Sequence, residues 1–236
     1  MEGWIIPPAK EPTKNKNDFR RERDEKVRWL LANGYLQSDR IKQAMLRVSR
    51  EDFIPPMYRD YAYLEVPLPL PGERATVSCP HSYPLFYEPL GLTEGDKFLE
   101  IGLGSGYGAA LAREIVGQAG LVVSIEIDHL THEFARENLK QAGYGDVIVL
   151  QGDGGLGHPA MAPYRRICIT AACSKIPPPL IEQLEMGGRL IAPIVEHPLG
   201  RNSVQNLVLH QKHETGLTRE IICEVLYVSL RGLYGL

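Results

Sequence analysis

Three acids stand at intervals along the chain, Glu100, Glu126 and Asp153, each close behind an apolar run, and glycines at 102, 104, 106 and 108 follow the first of them. An apolar run ending in an acid, then alternating glycines, then an Ala/Leu-rich helical pattern describes a strand, a tight turn and a helix N-terminus. There the backbone can approach a nucleotide-like ligand closely. The glycines lack the Cβ atoms that would otherwise fill the ligand's space. Glu126, at the end of a second strand, can accept both hydroxyls of a ribose. Asp153, in Gln151-Gly-Asp-Gly-Gly155, can accept an adenine amino group while its glycines, Gly154 among them, admit the ring; a plain turn is the competing reading.

Two ligands compete for the glycine loop. Counted from Gly104, Gly104-x-Gly106-x-x-Ala109 fits the dinucleotide fingerprint, with Glu126 about 20 residues on as the ribose acid. Counted from Glu100, Glu100-x-Gly102-x-Gly104-x-Gly106 is the loop of S-adenosylmethionine (SAM) methyltransferases. SAM carries an ammonium and a sulfonium and no pyrophosphate, so its site wants a carboxylate such as Glu100 where a dinucleotide site wants bare helix-terminus N–H groups.

The bulk properties narrow the field. At 236 residues the chain is long enough for one large domain with a full core. A formal net charge of −3 exerts no overall pull toward nucleic acid or anionic membrane. The longest apolar runs, such as Gly120-Leu-Val-Val-Ser-Ile125, are strand-sized, so no membrane span is expected. The first residues lack the cationic flank and apolar stretch of a signal peptide. Four cysteines without Cys-x-x-Cys spacing (Cys79, Cys168, Cys173 and Cys223) read as reduced, mostly buried thiols of a cytoplasmic protein.

The elements that must position the acids follow from periodicity. Residues 1–17, rich in Pro, Lys and Asn, read as a flexible tail. Residues 18–95 form a helical and loop extension: Asp18 can cap a helix ended near Asn33-Gly34, and Ser38 opens a second, stopped before Pro55-Pro56. The mixed charges over residues 20–28 read as a solvated helix face. Residues 96–200 alternate strands (98–101, 121–127, 147–150, 167–170, 189–194) with helices (107–116, 130–142, 179–184), which predicts a mostly parallel sheet covered on both faces. Residues 201–236 read as an antiparallel hairpin turning at Glu214-Thr-Gly216, completing a seven-stranded sheet. Helices, five parallel strands and a closing hairpin fit the doubly wound, Rossmann-like class I methyltransferase layout better than a dehydrogenase. Glu100, Glu126 and Asp153 then all fall at the carboxyl edge of the sheet, where such folds bind ligands.

Over roughly residues 25–235 the chain resembles the protein-L-isoaspartate O-methyltransferases. The resemblance is carried by Arg50-Glu-Asp-Phe-Ile-Pro-Pro-x-Tyr58, Asp60-Tyr-Ala-Tyr63, Pro67-Leu-Pro69 and Ala75-Thr-Val-Ser-Cys-Pro-His81. It continues through the 99–107 loop, Ala135-x-Glu-Asn-Leu139, Gly152-Asp-Gly154, Thr170-Ala-Ala172, Ile176-Pro177 and Gln183-Leu-x-x-Gly-Gly-Arg-Leu190. It implies methyl transfer from SAM, leaving S-adenosylhomocysteine, to the free carboxylate of L-isoaspartyl (or D-aspartyl) residues in damaged proteins. It further implies Ser78 as the active-site serine, holding the substrate carboxylate by a hydrogen bond, with Thr76 and Val77 flanking the donor. Leu226–Leu230, through Val228 and Ser229, would lie beside the substrate backbone as an edge for peptide pairing. His81 is assigned to the substrate side as well, with helix-start packing as its alternative. Cofactor contacts are thus expected from Thr76, Val77, Ser78, Glu100, Gly102, Gly104, Glu126, Asp153 and Gly154, with no metal, no nucleic acid and a monomer.

Departures from the family pattern bear on substrate choice: Arg165 where an acid is usual, Ser229 for a proline, Cys79 for a small residue, and a proline with extra aromatics over 82–87. His129-x-x-His132 and His210-x-x-His213 read as solvent-facing pairs, since a metal site needs a third convergent ligand. No Gly-x-Ser-x-Gly elbow supports Ser78 as a covalent nucleophile. The alternatives are a methyltransferase of another peptide or RNA, a nicotinamide-dependent oxidoreductase, and a SAM-binding module without catalysis.

Overall fold

The computed structural model describes residues 6–72, 75–196 and 204–236. A seven-stranded sheet forms its centre: β3 (Lys97–Ile101), β4 (Leu121–Glu126), β5 (Ile148–Gln151), β6 (Tyr164–Ile169), β7 (Leu184–Glu196), β8 (Val204–His213) and β9 (Gly216–Val225), in the order β5-β4-β3-β6-β7-β8-β9. The first five run parallel, and β8 and β9 add to β7 as the expected antiparallel hairpin. The boundary expected at residue 200 lies outside the described residues.

Alternation along the strands sends successive side chains to opposite faces. Phe98, Val122, Cys168 and Ile191 pack on a layer holding α1 (Lys16–Ala32), α2 (Asp39–Arg47), α3 (Ser82–Leu90), α4 (Tyr107–Val116) and α5 (His129–Gln141). Leu99, Ile101, Val123, Ile125, Ile167 and Ile169 face the other way, where Leu180 of α6 (Pro178–Gln183) covers them. A third cluster, built from Phe19, Ile54, Tyr63, Leu68, Leu70 and Val77, anchors two short strands, β1 (Leu68–Pro69) and β2 (Thr76–Val77).

The N-terminal extension differs from expectation in three ways. Asn15, not Asp18, caps α1: its side chain accepts from the N–H groups of Asn17 and Asp18, while Asp18 reaches back to the Asn15 N–H, a reciprocal capping box. The stretch expected as a tail is docked from Lys10 onward. Thr13 and Lys14 donate to the buried Asp60 carboxylate, and Lys10 forms an ion pair with it at 2.8 Å. Arg23, expected on a solvated face, turns inward and donates to Tyr63, Ser49 and Glu51. Of the histidines expected to face solvent, His132 is buried, and His210 has a buried Nε2.

Gly106 opens α4 at φ +88°, a left-handed conformation that costs an L side chain about 1–2 kcal/mol. A Cβ there would also come within 3.1 Å of Leu139 on α5. Gly106→Ala is therefore expected to destabilise the protein by about 1–3 kcal/mol in equilibrium urea unfolding with an unchanged m-value. A change below experimental error would show that the turn relaxes freely.

Candidate active site

A cavity of about 1300 Å³ opens at the carboxyl edge of the sheet. Its walls come from three parts of the chain: the β2 segment from Ala75 to Ser82, the loop from Glu100 to Ser105 with Glu126 beside it, and the segment after β9 from Leu226 to Arg231. Thr76, Val77, Ser78, His81, Glu100, Gly102, Gly104, Glu126, Gly154, Val228 and Ser229 all line it, whereas Asp153 does not.

Parallel register sets the two carboxylates. Glu100 on β3 lies opposite Ser124 on β4, and the Ser124 hydroxyl donates to Glu100 Oε2 at 2.6 Å. Burial pushes the Glu100 carboxyl up to about 8, assisted by the Glu126 charge and only partly offset by the Ser124 bond. Glu126 closes β4, with Oε2 accepting from Gly104 N–H at 3.2 Å and Oε1 from Asp128 N–H at 3.0 Å. Burial raises this carboxyl too, against those backbone bonds.

The glycines work differently from expectation. A Cβ on Gly102 would strike Thr170 Oγ1 at 2.3 Å and one on Gly108 would strike Glu100 Oε1 at 2.5 Å, so these two make room for protein and not for ligand. At Gly104, at φ +56°, a Cβ would meet only Leu70 Cδ1 at 3.8 Å and Thr76 O at 3.9 Å, ordinary contacts, so here the glycine serves the left-handed backbone of the turn.

Asp153 departs from its expected place at the cavity wall. Its Oδ1 accepts from Gly155 N–H at 2.8 Å and its Oδ2 from Leu233 N–H at 2.7 Å. The C-terminal segment lies against it, with Tyr234 over Gly155 and Leu236 reaching the cavity wall. Each carboxylate oxygen keeps a further lone pair, so the acid can still accept a hydrogen bond, now beside the C-terminal segment.

Ser78 is positioned by residues the sequence did not single out. Arg50, buried at 1% exposure, donates from Nε to Ala62 O and from Nη2 to Ser78 O, each at 2.6 Å. Its guanidinium lies over the rings of Tyr107 and Tyr83, 5.1 and 5.5 Å from their centroids. The Tyr227 phenol faces the Ser82 and Ser78 hydroxyls, and burial holds it well above the ordinary tyrosine range. Arg50 belongs to a stretch that carries the family resemblance, and Tyr227 lies within the 226–230 segment that the resemblance places beside the substrate, though its own side chain is not singled out there. Next to Ser78, burial and the Glu65 charge push the Cys79 thiol up to about 11, so it is protonated at neutral pH. His81 Nδ1 sits 2.5 Å from Glu65 Oε2.

The expected substrate edge is partly taken. Val228 O and Leu230 N–H pair with Ala172, and the Gln205 carboxamide binds both backbone groups of Tyr227, at 2.6 and 3.0 Å. That correction leaves the backbone of Ser229 as the part of the edge facing away from Ala172. Arg165 lies near the start of β6, at the opposite end of the sheet, paired with Asp96 and Glu185. It therefore has no reach into the cavity. The aromatics of the 82–87 run pack inward: Tyr87 donates to Gly108 O, and Tyr83 meets Tyr107 edge-on.

The donor set fits SAM. Two buried carboxylates at the mouth of a glycine loop suit a ligand with a ribose and two positive charges, and would repel a pyrophosphate. The raised Glu100 carboxyl also makes stability depend on pH. Between the unfolded value near 4.5 and about 8 the folded state holds a proton that the unfolded state has released. Stability of the ligand-free protein therefore falls as pH rises through this window, by at most about 1.4 kcal/mol per unit for this group. Urea midpoints measured from pH 6.5 to 8 are expected to decline, and Glu100→Gln to flatten the decline, with Glu126 leaving a remainder of the same sign. An equal slope in the variant would contradict the assignment.

The comparisons with known proteins agree with this geometry. The family model described as "Protein-L-isoaspartate(D-aspartate) O-methyltransferase (PCMT)" matches residues 21–234. A protein-L-isoaspartate O-methyltransferase of Hyperthermus butylicus is 41% identical over 232 residues, covering 94% of each chain. Protein-L-isoaspartate O-methyltransferase 1 of Archaeoglobus fulgidus is 42% identical over 198 residues, 84% of this chain and 88% of its own. A solved protein-L-isoaspartate O-methyltransferase superposes with a TM-score of 0.82 at 34% identity, covering 90% of this chain and 67% of that one. With its sheet order, its paired carboxylates and its Thr76-Val77-Ser78 wall, the chain belongs to the protein-L-isoaspartate(D-aspartate) O-methyltransferase family.

Proposed function

We propose that the chain carries out its family's reaction, methyl transfer from SAM to the free carboxylate of an L-isoaspartyl residue, with Ser78 holding the acceptor and Glu100, Glu126 and Asp153 the donor. SAM, when bound, supplies an electrophilic methyl on a sulfonium. Glu126 accepts the ribose hydroxyls with the lone pairs left free by Gly104 and Asp128. Glu100 supplies negative charge opposite the donor's ammonium, and Asp153 accepts from the adenine amino group. Thr76 and Val77 flank the donor, with Gly102, Gly104 and Gly154 giving its close backbone contacts.

The acceptor needs no general base. A carboxylate with an ordinary pKa near 4 is already ionised at pH 7. Ser78 donates its hydroxyl to one carboxylate oxygen, and Arg50, through the Ser78 carbonyl, fixes the serine backbone. His81 stands on the acceptor side, oriented by Glu65. Val228 and Ser229 line the channel where the peptide backbone enters. Rate then comes from alignment and from exclusion of water. The methyl ester closes to a succinimide without further help as the following backbone nitrogen displaces methanol, and ring hydrolysis returns some normal aspartate. One observation carries the reading: Ser78 shares a single cavity with the Glu100 and Glu126 carboxylates.

The family's substrates support action on isoaspartyl peptides and proteins, proposed here for a monomer, and the net charge of −3 speaks against a nucleic-acid substrate. None of the described helices is long and apolar enough to cross a membrane. Four free cysteines suit a reducing compartment such as the cytoplasm.

Labelled methyl from SAM is expected to reach an isoaspartyl peptide and not the same peptide with normal aspartate; equal labelling of both would refute the repair function. Ser78→Ala should lower kcat/KM about 10–100-fold, the worth of one hydrogen bond to a charged group, with SAM affinity by calorimetry changed much less. Unchanged kcat/KM would remove Ser78 from the acceptor site.

A further inference from the structure

Cys79 departs from the small residue usual beside the active-site serine, and methyl transfer makes no use of its thiol. Its surroundings give it another partner. Among the described residues, Glu65, Cys79 and His81 bring a carboxylate oxygen, a thiol sulfur and an imidazole nitrogen within 4.8 Å of one another. We propose that these three side chains form a binding site for a thiophilic divalent metal ion, with Zn²⁺ as the type, and that the bound ion blocks the acceptor side of the cavity.

The geometry suits such an ion. With metal–ligand bonds of about 2.0–2.3 Å, ligand atoms at a tetrahedral centre stand roughly 3.3–3.7 Å apart. The present separations, 2.5 Å between His81 Nδ1 and Glu65 Oε2 and none above 4.8 Å, lie around that span, so small side-chain movements would seat the ion. Cys79 and His81 are two residues apart on one loop. Glu65 is held from behind, its Oε1 accepting from Lys26 Nζ at 2.9 Å, the kind of outer contact that orients a ligating carboxylate. Lys26 in turn lies 4.7 Å from the centroid of Trp29, which stacks on Tyr35, and Tyr35 packs against the His81 ring at 5.2 Å.

Access and composition agree as well. The Glu65 and His81 side chains are a quarter to a third exposed, so an ion can enter from solvent. Thiolate, imidazole and carboxylate are all zinc ligands, and three of them leave a fourth position open, as in zinc sites that bind a further ligand. On binding, a sulfur–metal bond replaces the S–H bond, the proton passes to buffer, and no electron changes hands. Because Cys79 and His81 both line the cavity beside Ser78, a bound ion would border the space a substrate carboxylate would take. An ion there would draw that carboxylate away from the methyl donor.

Titration of the full chain with Co²⁺ reads the site without any turnover. One equivalent is expected to produce a thiolate-to-metal charge-transfer band, and Zn²⁺ to displace it. Cys79→Ser should abolish the band and weaken Zn²⁺ binding, read by competition with a chromogenic chelator, at least tenfold. His81→Gln should weaken it as well, while Cys223→Ser leaves it unchanged. Absence of the band in the unsubstituted protein, or equal affinity in Cys79→Ser, would overturn the site. The blocking role rests on the isoaspartyl methyltransferase reading and is tested separately. Zn²⁺ should raise the KM for isoaspartyl peptide with little change in SAM affinity, a chelator should reverse this, and Cys79→Ala should be insensitive. Band formation without a rise in KM would overturn the blocking role, and failure of methyl transfer altogether would fall on the functional reading, since the Co²⁺ titration is independent of it.

Discussion

A carboxyl group sits fully buried at the end of the central strand with one hydroxyl for a partner, and much of the site is arranged around it. Glu100 can be there because parallel register brings Ser124 alongside and because residue 108, at the start of α4, has no side chain. Burying a charge without an opposite one is costly, so the group keeps its proton near neutral pH until a cation arrives. A ligand with positive charge is therefore favoured at this mouth by the same desolvation that disfavours the empty ionised form. Glu126, one strand over, couples to the same loop through its hydrogen bond from the Gly104 N–H. Cofactor choice thus follows from buried carboxyl groups that ionise only opposite a cation, while the overall charge of the protein stays close to neutral.

The acceptor side is built on another principle. Among the described residues, no strand of the seven-stranded sheet bonds to Ser78. Its loop is pinned from the N-terminal extension, through a buried guanidinium that bonds to two carbonyls and lies over two aromatic rings. Tyr227, from the far end of the chain, lines the same cavity, facing Ser78. The donor half rests on a regular sheet edge, and the acceptor half on contacts between segments separated by as many as 149 positions in sequence. This division lets the wall around Ser78 vary, as at Cys79 and Ser229, without disturbing the Glu100 and Glu126 carboxylates at the sheet edge.

Where a backbone demand is local, the sequence declared it. Helix α4 begins at Tyr107 and ends at Val116 as its pattern predicted, because a left-handed glycine and an apolar stripe mark both its start and its length. The hairpin turn at residues 214–216 and the Ser38 cap are equally local. The cap of α1 was misplaced by three residues because Asn15 and Asp18 are both good caps, and only the direction of the chain leaving the Asp60 anchor selects between them. Arg23 looked like surface because charge mixing cannot reveal that Tyr63 and Glu51 wait on another segment. Asp153 was correctly placed past its strand, but its partner, the Leu233 N–H, lies 80 residues away.

The sequence by itself determined the layered α/β class, the strand–glycine–helix turn and the acids at the strand ends, since periodicity and positive-φ glycines are properties of a few adjacent residues. Tertiary structure alone decided which glycines make room for neighbouring side chains, that Arg50 secures Ser78, that Gln205 pairs with the Tyr227 backbone, and that Glu65 meets Cys79 and His81. Those outcomes depend on distances between segments far apart in the chain. Such distances are set by how the layers pack, and no short stretch of residues encodes them.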